Sequence, residues 1–142
     1  MSTNRNLSTT YYICFLMLLS FPTILSAQVS TSLNQSFKTS EAQSISIQVN
    51  SPNLKVKYIQ GTRILVETKI NLSTNNSTLL DFITQKGRYD LIKELDPQTK
   101  CLKLVPKNKQ DIIVIKGKEL QENISYTIYI PKEMAFVDLA SK

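Results

Sequence analysis

The segment that decides the fold reads Asn123-Ile124-Ser125-Tyr126-Thr127-Ile128-Tyr129-Ile130-Pro131. Its large apolar side chains occupy every second position, and Ser125, Thr127 and Tyr129 stand between them. Successive side chains of a β-strand point to opposite faces of the sheet, so this alternation predicts a strand with one face in a core and one face in solvent. Proline has no N–H to donate to a neighbouring strand, so Pro131 predicts the end of the strand.

The same alternation recurs through the preceding chain. It predicts strands over residues 44–49, 54–59, 62–71, 88–93 and 100–105, with turns at 52–53 and 96–97. The short connection Gln60-Gly61 would close a hairpin between the second and third of these strands. The segment 111–115 is apolar on both faces, which predicts a central strand.

One helix interrupts the strands near residues 77–86. Asn76 or Ser77 would cap its first turn, because a short polar side chain accepts a hydrogen bond from a free N–H there, and Gly87 would end it. Its apolar stripe consists of Leu79, Leu80, Phe82 and Ile83. The expected fold is therefore mainly β: an antiparallel β-sandwich or a β-solenoid-like segment of seven or eight strands with one short helix.

The N-terminal residues have the three zones of a secretory signal peptide. Residues 1–10 are polar and carry Arg5, residues 11–25 are apolar, and cleavage is expected between Ala27 and Gln28. The apolar zone is shorter than a membrane-spanning helix, although an uncleaved N-terminal anchor is the alternative. The expected division is a signal peptide at 1–27, a polar linker at 28–36, a β-rich domain at 37–131 and a C-terminal tail at 132–142.

The composition of the chain excludes several classes of catalytic and metal-binding site. The 142 residues include no His, which excludes a His-dependent catalytic triad and a His-bearing zinc site. Cys14 lies in the signal peptide, so Cys101 would be the one cysteine of the mature chain, and its place in an alternating segment predicts a structural role. No catalytic residue, metal site or cofactor is expected. A carboxylate-dependent hydrolase using Asp90, Glu94 or Asp96 is the enzymatic alternative.

The second half of the chain is rich in lysine. The mature chain would have 16 basic residues (17 less Arg5) and 11 acidic residues, a net charge of +5. If neighbouring strands brought the lysines together, they would bind a polyanion; otherwise they protect strand edges and are solvated. The lysines in question are Lys93, Lys100, Lys103, Lys107, Lys109, Lys116 and Lys118. Four tyrosines would pack in the core or contact sugar rings: Tyr58, Tyr89, Tyr126 and Tyr129.

Several short motifs together resemble a known family. They are Val56-Lys57-Tyr58 before Gly61, Ile64-Leu65-Val66-Glu67, Gly87-Arg88-Tyr89 and Tyr126-Thr127-Ile128-Tyr129-Ile130-Pro131. Over residues 37–131 the chain resembles the exported, adhesin-like β-solenoid proteins of the bacterial cell envelope. The resemblance implies a non-enzymatic protein concerned with adhesion or envelope sensing. Family members continue into solenoid coils, whereas only residues 132–142 follow here, so we expect a truncated relative or a cap alone.

The sequence thus predicts an exported, non-enzymatic, adhesin-like binding or structural module in the periplasm, at the outer surface or secreted. The alternative is a secreted polyanion-binding protein. Expected partners are an envelope polysaccharide or another protein, with no specific nucleic acid and membrane contact only through the signal peptide. An exposed strand edge in the tail would allow self-association.

Overall fold

A computed structural model describes residues 27–137, which form ten strands and one helix. The strands are β1 (Val29–Lys38), β2 (Ser44–Ile47), β3 (Asn53–Ile59), β4 (Arg63–Leu72), β5 (Leu91–Asp96), β6 (Cys101–Pro106), β7 (Ile113–Ile115), β8 (Lys118–Leu120), β9 (Glu122–Pro131) and β10 (Ala135–Val137); the helix α1 is Ser77–Gln85. The prediction of a mainly β chain with one short helix is confirmed. The predicted signal peptide lies outside the described residues up to position 26. No helix within residues 27–137 is long and apolar enough to cross a membrane.

Two four-stranded sheets share one core. The first sheet has the strand order β1-β4-β9-β3 and the second has the order β10-β2-β6-β5. Ile64 and Ile128 of the first sheet pack in the same buried cluster as Ile45 and Leu102 of the second. The described chain is therefore a β-sandwich rather than a solenoid segment, because apolar side chains from the inner faces of two sheets fill the space between them.

The strand β9 lies in the interior of the first sheet, and its two faces divide as its alternation predicts. Ile128 is fully buried and lies opposite Val66 of β4 on one side and Val56 of β3 on the other. These three β-branched side chains point into the core, while Thr127 and Tyr129 point outwards. The predicted division into an inner apolar face and an outer polar face is therefore present in β9.

The predicted antiparallel arrangement is only partly right, because three strand pairs are parallel. These pairs are β3 with β9, β2 with β6, and β2 with β10. The predicted hairpin between β3 and β4 is also wrong, because β9 lies between these two strands and pairs with both. A short loop fixes only how far apart two strand ends are. In the structure the two edges of β9 pair with β3 and with β4, so those two strands do not pair with each other.

The prediction of a polar linker at 28–36 is wrong, because these residues belong almost entirely to β1. Val29, Leu33 and Phe37 face inwards and are half-buried, whereas the serines between them are exposed. Gln35 also faces inwards and joins the sheets: its side chain donates to the Leu91 carbonyl at 3.2 Å and accepts from the Leu91 N–H at 2.9 Å. A solvated outer face made this edge strand resemble a linker.

The helix α1 begins where the sequence predicts. The Asn76 side chain accepts a hydrogen bond from the Leu79 N–H at 3.0 Å, and Leu80 is buried against a second apolar cluster with Ile70 and Leu72. Phe82, predicted on the same stripe, is 57% exposed. At 3.6 residues per turn it lies about 160° round the helix from Leu80, so both cannot face the sheet.

Two further strand predictions need correction. The segment 111–115 is not a central strand: β7 pairs only with β8 in a hairpin outside both sheets, and Ile112 is 69% and Val114 56% exposed. The predicted strand 88–93 starts later, at Leu91, because residues 87–90 form a turn in which Gly87 has a φ of 74°. Only one face of the β7–β8 hairpin packs against the rest of the domain, through Ile113 and Leu120, which contact the second apolar cluster.

The C-terminal tail contributes to the domain rather than following it. Met134 is buried in the shared core, and β10 pairs with β2 at the edge of the second sheet. The β-rich unit therefore extends beyond residue 131 to at least residue 137. Residues 138–142 lie outside the described part of the chain.

Candidate functional site

A cleft opens at the end of the first sheet where β4 stops and β9 starts. It encloses about 560 Å³, a volume within the range of small-molecule sites. Seven of its twelve lining residues have amide side chains, and we call it the amide cleft: Gln28, Asn50, Asn53, Asn71, Gln110, Gln121 and Asn123. The remaining lining residues are Ser51, Pro52, Ser73, Glu122 and Ile124.

The walls of the amide cleft are tied to β9. Ser51, in the loop between β2 and β3, donates its hydroxyl to the Ile124 carbonyl at 2.6 Å. On the other wall, the Ser73 N–H donates to the Gln121 carbonyl at 3.0 Å, and the Gln121 N–H donates to the Ser73 hydroxyl at 2.8 Å. These bonds fix both loops before any ligand is present, so the cleft is largely preorganised.

Most amides of the cleft keep their hydrogen-bonding capacity for a ligand. The Asn53 amide donates to the Asn123 side-chain oxygen at 3.3 Å across the strand pair β3–β9. Among the described residues, the side-chain amides of Asn50, Asn71 and Gln121 have no hydrogen-bond partner. Each amide offers two donors and one acceptor, so the cleft presents a dense, uncharged hydrogen-bonding surface.

The one carboxylate of the cleft lining is already neutralised. Glu122 accepts hydrogen bonds from Arg88 at 2.6 and 2.9 Å and from the Tyr89 hydroxyl at 2.6 Å. Only 14% of the Glu122 side chain and 17% of the Arg88 side chain are exposed. Arg88 also donates to the Asp111 carbonyl, so the group anchors the segment before β7 to the base of the cleft.

This environment shifts two pKa values. The hydrogen bond to Glu122 raises the pKa of the Arg88 guanidinium, so the guanidinium stays charged. Burial, followed by the hydrogen bond to the Glu122 carboxylate, raises the pKa of the Tyr89 phenol. The hydrogen bond from Tyr89 therefore contributes stability below the pKa of a free tyrosine, about 10. That contribution is lost as the pH rises through the raised value.

The lysines of the second half do not converge on one surface. Lys100 lies 2.9 Å from Glu41, and Lys107 lies 3.7 Å from Asp90. Lys109 lies 3.8 Å from Asp111, Lys103 faces Glu94 across the β5–β6 pair, Lys116 and Lys118 flank the tip of the β7–β8 hairpin, and Lys93 donates to Ser40. Most of these cations therefore have an acidic neighbour that offsets their charge.

The predicted acidic alternatives are each engaged locally. Asp90 lies beside Lys107, and Glu94 lies opposite Lys103 on the outer face of the second sheet. Asp96 caps the turn after β5 by accepting from the N–H groups of Gln98 and Thr99, which lowers the pKa of its carboxyl. None of the three lines the amide cleft. Within residues 27–137 no group of His, Cys, Asp or Glu is arranged to hold a metal ion.

The predicted cleavage-site residues, Cys101 and the four tyrosines lie in different parts of the fold. Gln28, on one side of the predicted cleavage point, lines the amide cleft, while Ala27 is exposed. Cys101 begins β6 as a half-buried free thiol. Tyr89 and Tyr126 are buried, whereas Tyr58 and Tyr129 are not fully buried.

Sequence reasoning missed the amide cleft because its residues are dispersed over nearly a hundred positions. The available signal is their placement: most lie just outside strand ends or in the terminal residues of strands, where amides are also common turn formers. Only the pairing of β4 with β9, which sets Asn71 opposite Asn123, brings the two halves of the cleft together. Comparisons with protein-family models, curated proteins and solved structures find no match, so the chain's own geometry carries the functional argument.

Proposed function

We propose that this chain is an exported, non-enzymatic binding module of the cell envelope, and that it binds a glycan in the amide cleft. The supporting observation is the composition of the lining: seven amides and two serines surround a carboxylate whose charge is offset by Arg88 and which also accepts a hydrogen bond from Tyr89. Such a cleft favours a ligand that is polar and rich in hydrogen-bonding groups. The ligand needs no charged group in order to bind there.

Carbohydrate hydroxyl groups meet this requirement. A hydroxyl donates one hydrogen bond and accepts others, and a side-chain amide does the same with separate atoms. Several convergent amides therefore match several neighbouring hydroxyls of one sugar. The cost of desolvation is offset because the unpartnered amides of Asn50, Asn71 and Gln121 exchange bonds to water for bonds to the ligand.

The proposal also agrees with the sequence features that bear on location. The signal-peptide pattern up to Ala27 and the likeness to adhesin-like envelope proteins both favour an exported protein that contacts extracellular material. The polyanion alternative based on Lys100 to Lys118 receives less support, since several of these lysines have acidic neighbours. A hydrolase receives less support, since Asp90, Glu94 and Asp96 each have a local partner.

Export is tested by the N-terminus of the processed protein. We expect the full chain, expressed in a bacterium with a general secretory pathway, to be recovered outside the cytoplasm with Gln28 as its first residue. The measurement is intact mass together with N-terminal peptide mapping. The Ile13→Arg variant serves as the control, because a charge inside the apolar zone blocks recognition as a signal. Recovery of full-length wild-type chain from the cytoplasm alone would contradict export.

Glycan binding is tested on the mature chain, residues 28–142. We expect it to bind at least one neutral oligosaccharide from a panel of chitin, cellulose, mannan and glucan fragments, measured by an immobilised array and then by calorimetry. The cleft variant combines Asn50→Ala, Asn71→Ala and Gln121→Ala. We expect its affinity to fall by about tenfold or more, since each lost hydrogen bond contributes about 0.5–1.5 kcal/mol.

A matched variant controls for the loss of three amides. Gln43, Gln60 and Gln98 are exposed and lie outside the cleft, so replacing them with Ala should leave binding unchanged. Neither triple change removes buried apolar surface, and both proteins should unfold at nearly the same urea concentration as the wild type. No binding to any glycan, or equal losses in the two variants, would refute the proposed site.

A further inference from the structure

The outer face of the first sheet has a positive charge that the amide cleft lacks. Its basic residues are Lys38 on β1, Lys55 and Lys57 on β3, and Arg63 and Lys69 on β4. Among the outward positions of the four strands, Glu67 is the one acidic residue, and it lies 3.5 Å from Lys69. Four cations are left without an acidic neighbour on this face. The face is open to solvent, as the 42% exposure of Leu65 near the start of β4 indicates.

The outward side chains of β9 connect this face to the amide cleft. Asn123 belongs to the cleft, and Ser125, Thr127 and Tyr129 follow at alternate positions of the same strand. Tyr129 lies about 20 Å from Asn123, at about 3.4 Å per residue. The hydroxyl groups of Ser125 and Thr127 lie between them, so one polar strip runs from the cleft to the aromatic ring.

Tyr129 lies among groups that suit an acidic sugar. The Lys57 ammonium is 5.5 Å from the centre of the Tyr129 ring, and Leu65 lies directly opposite Tyr129 on β4. A hollow of about 290 Å³ beside the ring is also lined by Asn34, Ser36 and Glu67, and the Glu67 carboxylate is paired with Lys69. An aromatic face and an aliphatic side chain accept the C–H face of a sugar ring, and Lys57 would pair with its carboxylate.

We infer that the ligand is a linear polysaccharide containing acidic sugars, which occupies the amide cleft at one end and reaches Tyr129 and its surrounding cations at the other. This inference rests on the proposed glycan binding and specifies the class of glycan. Charge complementarity carries it: an uncharged cleft lies at one end of the strip and four unneutralised cations lie towards the other. A nucleic acid fits less well, because its charge recurs at every unit and requires cations along the whole strip.

The test compares two variants that lose the same charge. The outer-face variant combines Lys38→Ser, Lys55→Ser and Lys57→Ser, and the matched control combines Lys103→Ser, Lys107→Ser and Lys109→Ser. The probes are hyaluronan, which alternates carboxylated and neutral sugars, and a neutral chitin fragment of equal length. For the outer-face variant we expect hyaluronan binding to weaken about tenfold or more, with the chitin fragment unaffected. For the control variant we expect both affinities to stay near those of the wild type.

Two further measurements separate the possible outcomes. Tyr129→Ala should weaken binding of long hyaluronan fragments several-fold but leave disaccharide binding unchanged, because a disaccharide is too short to reach from the cleft to the ring. Equal losses in the two lysine variants, or single-stranded DNA of matched charge binding as tightly as hyaluronan, would overturn the inference while leaving cleft binding intact. Failure of hyaluronan and of every neutral glycan in the panel to bind the wild type would instead overturn the proposed function.

Discussion

Replacing Glu122 with Ala is expected to destabilise the mature protein by about 3 kcal/mol. The change leaves the Arg88 guanidinium and the Tyr89 hydroxyl without their carboxylate partner in a mostly buried place. Removing one member of a buried ion pair typically costs about 3–5 kcal/mol, and the residual exposure of Arg88 favours the lower end. Domains of this kind are stable by about 5–15 kcal/mol in total, so urea denaturation followed by circular dichroism will resolve the loss easily.

A matched carboxylate distinguishes this effect from a general effect of charge. Glu94 is exposed and faces Lys103 across the β5–β6 pair, so Glu94→Ala should change the free energy of unfolding by less than about 1 kcal/mol. A third protein carries Arg88→Met, Tyr89→Phe and Glu122→Leu together. It should recover most of the stability, because apolar side chains need no hydrogen-bonding partners. Similar stability for Glu122→Ala and Glu94→Ala would show that the group is not structural.

The pH dependence of the same group gives an independent check. Because the pKa of the Tyr89 phenol is raised on folding, its contribution to stability is present below pH about 10 and is lost as the pH rises. Wild type and Tyr89→Phe should therefore differ in stability at neutral pH and converge at alkaline pH. A constant difference across this range would mean that the phenol does not titrate differently in the folded protein.

The parts of the fold that could be predicted are those in which a local pattern and the global packing agree. The alternation of Ile124 to Ile130, the cap at Asn76 and the end of β6 at Pro106 are each set by a few neighbouring residues. Local patterns cannot say which strands pair, however. The loop at Gln60-Gly61 is compatible with a hairpin, whereas in the structure β9 lies between β3 and β4 and pairs with both.

The functional surfaces could be predicted least, for a related reason. The amide cleft joins residues from the start of β1, the end of β4 and the start of β9, and strand register alone brings them together. The cations of the outer face are far apart along the first half of the chain but lie on one face of the first sheet. The lysines of the second half are close together in sequence but do not converge on one surface. Density along the sequence is thus a poor guide to charge density on a surface when strands from both halves interleave.

Replacing Ile128 with Ala should destabilise the protein by about 2–5 kcal/mol, the range for deleting a large aliphatic side chain from a packed core. Ile128 is fully buried at the centre of the first sheet, with Val66 and Val56 opposite it on the two neighbouring strands. Neither neighbour can fill the cavity without leaving its own strand, so little relaxation is expected. The measurement is the free energy of unfolding in urea, with an unchanged dependence on urea concentration as a check on two-state behaviour.

The adjacent residue provides the control that makes this a test of the alternation itself. Thr127 lies on the same central strand but points to the outer face, so Thr127→Ala removes no core contact and should cost less than about 1 kcal/mol, the span of β-propensity. The two positions share backbone hydrogen bonding, neighbours in the sheet and distance from the strand ends, and they differ in which face they occupy. Comparable losses at both positions would mean that Ile128 does not face a core. The register that unites the amide cleft and aligns the outer-face strip with Tyr129 would then be wrong as well.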